Sequence, residues 1–118
     1  MLIVDPNETT RFVLCELLRR SGVTPVAAGA RLASRRAVEL SASVIYIDAD
    51  AVSDAVLQEL VGVAAGVTSP IVVAGTNRPI EPSSRGVTFV RKPYHFRDLV
   101  HKILASLGGG AAPEQAAA

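Results

Sequence analysis

The stretch Val87-Thr88-Phe89-Val90-Arg91-Lys92-Pro93 decides the reading of this chain. A short apolar run rich in β-branched residues ends on cations and a proline, which reads as a strand breaking off at a charged rim. Two other apolar runs end on acids: Leu2-Ile3-Val4 runs into Asp5, and Val44-Ile45-Tyr46-Ile47 runs into Asp48. In an open parallel α/β sheet, ligands and chemistry gather beyond the carboxyl ends of the strands. Asp5, Asp48 and Lys92 are therefore expected on one rim, where two acids and a base suit a cation and a phosphoryl group.

Between these runs the periodicity alternates. Asp5-Pro6 reads as a natural N-cap followed by proline at the first helical position. Thr10, Val13, Leu14, Leu17 and Leu18 fall at i, i+3, i+4, i+7 and i+8, one apolar helical stripe, and Gly22 closes it. Residues 23–28 form a weak strand, and Pro25 assigns it to a sheet edge because proline cannot donate to a ladder. An Arg-rich helix over about 31–41 precedes the strand at 44–47. A third helix over 51–65 offers Val52, Val56, Leu60 and Val63 to the core. Strands at 71–74 and 87–90 follow, then a helix over about 96–107 with Leu99, Val100, Ile103 and Leu107 inward. Alternating strands and helices imply a parallel sheet with right-handed crossovers. Five strands with the second at an edge fit a flavodoxin-like, doubly wound (βα)5 sheet in the order 2-1-3-4-5.

Composition is consistent with a single globular domain. The chain has 118 residues, 49% of them hydrophobic and 19% charged. No apolar run approaches the roughly 20 residues that span a bilayer, and a net charge of +1 gives no argument for direct nucleic-acid binding. Residues 1–107 are expected to be the domain, and the low-complexity Gly/Ala-rich segment 108–118 a flexible tail or linker stub. The start shows neither a basic n-region nor a long apolar h-region, so no secretory signal is expected. The lone Cys15 forms no internal disulfide, which makes a cytoplasmic location the default. The pairs Arg19-Arg20 and Arg35-Arg36 read most simply as solvated helix faces. His95 and His101 are six positions apart, too far for an i, i+4 metal pair.

Over residues 2–107 the order of these features resembles the receiver domain of bacterial response regulators. In that family an apolar strand opens onto an acidic pair, a phospho-accepting Asp follows strand three, a Ser or Thr follows strand four, and Lys-Pro follows strand five. The resemblance implies Asp48 as the acceptor carboxylate, a nucleophile toward phosphorus, and Lys92-Pro93 as the final dyad, its peptide in the cis state. It implies a Mg2+ ion held by Asp5, Asp48 and the backbone carbonyl of Asp50. It also implies a histidine kinase or other signalling protein as partner, and leaves a homodimer open. A phosphorelay module that is not itself an enzyme and does not touch a membrane follows from it.

Several residues depart from the family pattern. Pro6 stands where the second acid belongs, so magnesium, usually held through one or two carboxylates plus phosphate, is expected to bind weakly; Glu8 lies a turn into the helix. The Ser/Thr position falls on Gly75, and Thr76 is displaced by one, which directs it elsewhere unless the loop shifts. Phe89 reads as a packed aromatic. Residues 76–86 carry Pro79 and Pro82, each costing a helix interior about 3 kcal/mol, so the family's fourth helix is expected to be shortened or missing. Phe89, Arg91, Tyr94 and His95 should then lie near a remodelled face. The expectation is an atypical receiver with a weakened phospho-acceptor site that signals through protein contacts. The alternatives are a fully phosphorylatable receiver at Asp48 and, more distantly, a nucleotide or flavin binder. For the last, the segment after the first strand lacks any phosphate-cradling glycine.

Overall fold

The computed structural model describes residues 1–40, 42–76 and 86–108. Strands β1 (Leu2–Val4), β2 (Val26–Ala27), β3 (Ile45–Asp48), β4 (Ile71–Gly75) and β5 (Val87–Arg91) form one parallel sheet in the order β2-β1-β3-β4-β5. Four α-helices stand among the described residues: α1 (Glu8–Arg20), α2 (Ala33–Leu40), α3 (Asp54–Gly66) and α4 (Phe96–Gly108). This is the five-stranded flavodoxin-like order that the alternation predicts. The shortened or missing helix concerns residues 76–86, of which 77–85 lie outside the described residues, as do 109–118 of the expected tail.

The sheet is covered on both faces because β1, residues 45–47 of β3 and residues 71–74 of β4 are apolar and buried at every position. Successive side chains point to opposite sides, and the core divides accordingly. Leu2, Val4, Ile45, Ile47, Ile71 and Val73 pack with Ala33, Ala37, Leu57, Leu60 and Ala64 of α2 and α3. Ile3, Tyr46, Val72, Ala74 and Val90 pack with Leu14, Leu18, Leu99, Val100 and Ile103 of α1 and α4.

Local signals account for the element ends. Asn7 caps α1, its side chain accepting from the Thr10 N–H at 2.8 Å. At the other end Ser21 is the C-cap and Gly22 takes φ +86°, a conformation that glycine adopts without steric cost. β2 lies at the edge as expected, but of the expected 23–28 only Val26 and Ala27 pair, and Pro25 precedes the strand. The inner face of α3 differs from expectation. A 3₁₀ turn at Ala49–Ala51 delays the helix, Ser53 caps it through the Val56 N–H, and the buried residues become Leu57, Leu60 and Ala64. Val56 is left half-exposed by this change of phase.

Candidate functional site

The carboxyl ends of β1, β3 and β5 bring Asp5, Asp48 and Lys92 together. Asp48 is the last residue of β3, pairs in register with Ala74 of β4, and is 8% exposed. Lys92 follows β5, and its N–H donates to the Gly75 carbonyl at 2.9 Å, which ties the end of β5 to that of β4. The Lys92–Pro93 peptide is cis. From this anchor the Lys92 Nζ donates to both Asp48 oxygens at 2.9 Å. Asp48 Oδ1 also accepts from the Asp50 N–H at 3.0 Å, so Asp48 caps the 3₁₀ turn while facing the lysine.

Asp5 is 3% exposed and is held by its neighbours. Its Oδ1 accepts from the Asn7 N–H at 2.9 Å, and its Oδ2 accepts from the Tyr46 hydroxyl at 3.2 Å. Its carbonyl accepts from the Arg11 guanidinium at 2.8 Å. The helix-capping role that Asp5-Pro6 suggests therefore falls to Asn7. A cleft of about 260 Å³ lined by Asp5, Pro6, Arg11, Ala28 and Val52 opens beside the carboxylate.

Tyr46 is the site residue that sequence reasoning missed. It is fully buried on β3, opposite Ile3 of β1, and its hydroxyl also meets that of Tyr94 at 3.4 Å. Tyr94 in turn stacks edge-on against Phe96 with ring centroids 5.7 Å apart. The available signal was a phenol two positions before Asp48, on the same side of a strand that is otherwise aliphatic. Tyr94, expected near the remodelled face, is half-buried by these contacts, whereas Arg91 and His95 are exposed.

Thr76 also departs from expectation. Its N–H donates to Asp50 Oδ1 and Oδ2 at 3.1 and 3.2 Å, and its hydroxyl to Oδ2 at 2.8 Å. Displacement by one position thus turns Thr76 toward the rim, because the 3₁₀ turn after β3 carries Asp50 across to meet it. Asp50 Oδ2 lies 3.4 Å from the Lys92 Nζ, so Asp50 engages the site through its carboxylate. Phe89 is half-buried against the α2/α3 side of the core.

The electrostatics follow from this geometry. Burial pushes the Asp5 carboxyl above its ordinary value, and the nearby Asp48 charge adds to it against the hydrogen bonds from Asn7 and Tyr46. Burial acts to lower the Lys92 ammonium, but Asp48 and Asp50 outweigh it and hold it above its ordinary value. The Thr76 N–H and hydroxyl hold Asp50 below the usual carboxylate range. Burial and the Tyr94 hydroxyl push the Tyr46 phenol up, keeping it a neutral donor.

Asp48 lies close enough for its charge to raise the Asp5 carboxyl, and two such neighbouring carboxylates form a donor set suited to a hard divalent cation. Pro6 adds no side-chain oxygen, and no cluster of three His, Cys, Asp or Glu suited to a metal occurs among the described residues. Asp5 and Asp48 are the side chains that would hold such an ion.

The raised Asp5 value has a consequence for stability. The folded state binds this proton more tightly than the unfolded chain does. The contribution is present below the ordinary carboxylate value and is lost as pH rises through the raised folded one. At neutral pH the charged Asp5 is thus a cost, and Asp5→Asn should raise the urea midpoint at pH 7. The advantage should shrink as pH falls through the Asp5 titration. A variant less stable than wild type at pH 7, or an advantage that does not change with pH, would contradict the assignment.

No protein-family model and no curated protein matches the sequence. Solved structures do match the fold. A response regulator receiver domain protein from Bacillus halodurans superposes with a TM-score of 0.72 at 16% identity, over 89% of this chain and 93% of that one. The chemotaxis protein CheY4 of Vibrio cholerae gives 0.68 at 20% identity, over 89% and 95%. The pseudo-receiver domain of the CikA protein gives 0.62 at 17% identity, over 90% and 93%. The chain has the receiver-domain fold. No helix among the described residues is long and apolar enough to cross a membrane.

Proposed function

We propose that this chain is an atypical receiver-type module of phosphorelay signal transduction. Its phospho-acceptor site at Asp48 is weakened, and it signals through protein–protein contact. One observation carries the reading: Pro6 stands beside Asp5 where a second acid would help hold a cation at Asp48, and it contributes no side-chain oxygen. Asp5 and Asp48 would hold Mg2+, which supplies neutralisation of phosphoryl charge when bound. Lys92 would pair with a phosphoryl group as a point charge. The module is not itself an enzyme. Its partner is a histidine kinase or another signalling protein, or a second copy in a homodimer, and it works in the cytoplasm. Residues 1–107 form the module.

The second reading, a fully phosphorylatable receiver taking a phosphoryl group from a histidine kinase at Asp48, is favoured by the retained Asp48–Lys92 pair. Partner capture and self-association distinguish the two. The contact surface is assigned to the exposed Arg91 and His95 beside β5, since Tyr94 is engaged by Tyr46 and Phe96. Retention should persist in Asp48→Ala and fall in Arg91→Ala/His95→Ala. Loss in Asp48→Ala with full retention in the surface variant would overturn the phosphate-independent reading.

A further inference from the structure

Three donors at the rim converge on one anion. The Thr76 N–H, the Thr76 hydroxyl and the Lys92 ammonium all address the Asp50 carboxylate, at 3.1 and 3.2, 2.8 and 3.4 Å. A backbone N–H, a hydroxyl and an ammonium aimed at a common point form a typical oxyanion-binding set. Here the anion belongs to the chain itself.

We infer that the Asp50 carboxylate is an internal occupant of an oxyanion-binding position built by Thr76 and Lys92, and that it holds the rim in a phosphate-free arrangement. The inference rests on the receiver-type reading and adds the residue that closes the site. Its origin is local. The 3₁₀ turn at Ala49–Ala51 is capped by Asp48 through the Asp50 N–H, so one turn sets both carboxylates around Lys92. An ammonium has three protons to donate, and Lys92 directs its charge to two Asp48 oxygens and one Asp50 oxygen. No donor of the lysine is left over for an incoming group.

A phosphoryl group carries roughly −1.5 to −2 charge at neutral pH. Placed among these donors it would meet the Asp50 carboxylate as a like charge. Asp50 must therefore leave before phosphate enters, and its side chain, 38% exposed, has solvent to move into. The same contact fastens Thr76, the residue after β4, to the turn after β3. Asp50 thus supplies from within the chain the anion that would otherwise have to arrive from outside.

Inorganic phosphate titrated against the full chain, read through the Thr76 backbone amide and the Lys92 side chain by NMR, tests this. Asp48→Asn removes the acceptor charge but keeps Asp50; Asp48→Asn/Asp50→Ala opens the position. The double variant should bind phosphate at least about tenfold more tightly than Asp48→Asn, as expected for charge-assisted hydrogen bonds. Adding Lys92→Met should abolish the gain. Equal affinity in the single and double variants would overturn Asp50 as the occupant, and no binding by the double variant would overturn the oxyanion position. Should the double variant fail to fold, Asp50→Ala alone decides. Its Thr76 amide should exchange with deuterium faster than in wild type, and unchanged exchange overturns the inference. These readouts concern the rim alone, so they separate this inference from partner capture, which tests the receiver-type reading.

Discussion

Tyr46→Ala is expected to destabilise the fold by about 3–5 kcal/mol, the range for emptying a buried aromatic site. Tyr46 has no exposure, lies on β3, the central strand of the five, and fills the layer between that strand and the helices α1 and α4. Losing its ring leaves a cavity lined by well-packed residues that collapse only partly. Losing its hydroxyl removes a donor from the nearly buried Asp5 Oδ2 and a partner from Tyr94. Natural domains hold only about 5–15 kcal/mol in total, so the variant should spend much of its time unfolded in mild denaturant. Tyr46→Phe keeps the ring and should cost about 1–3 kcal/mol, the penalty for a buried polar group left without its partner. Urea midpoints followed by far-UV circular dichroism measure both. A cost below about 1 kcal/mol for Tyr46→Ala would mean that the Tyr46 layer is not a packed core, since emptied aromatic sites cost several times that.

Most of the fold was legible in the sequence because it rests on binary pattern. Five apolar runs, one demoted to the edge by Pro25, and helical stripes between them leave few arrangements compatible with short right-handed crossovers. Asp5, Asp48 and Lys92 were legible for a related reason, since a charge that ends a strand must lie at the sheet's rim. What was not legible depends on where turns place side chains. The 3₁₀ turn after β3 shifted the phase of α3, exchanging Val56 for Leu57 and Ala64 at the core. The same turn swung Asp50 toward Lys92 and Thr76, giving a side chain to a position where the resemblance implied a carbonyl. Asn7 displaced Asp5-Pro6 as the cap of α1 because an Asn side chain reaches the third N–H of a helix as well as Asp does. Tyr46 read as one more apolar strand residue, and its hydroxyl gained meaning only once β1 lay beside β3.

The acceptor site that we propose is present but weakened. Phosphorylation of Asp48 requires a carboxylate oxygen to attack phosphorus while the donor's leaving group departs with the bonding electrons. Two features oppose it here. Pro6 leaves the cation with fewer ligands, and Asp50 occupies the Thr76 and Lys92 donors. The most direct measurement is the intact mass of the chain after incubation with acetyl phosphate and Mg2+, beside Asp48→Asn. The adduct should form slowly or not at all. A rapid, near-stoichiometric phosphoryl adduct that disappears in Asp48→Asn would contradict it.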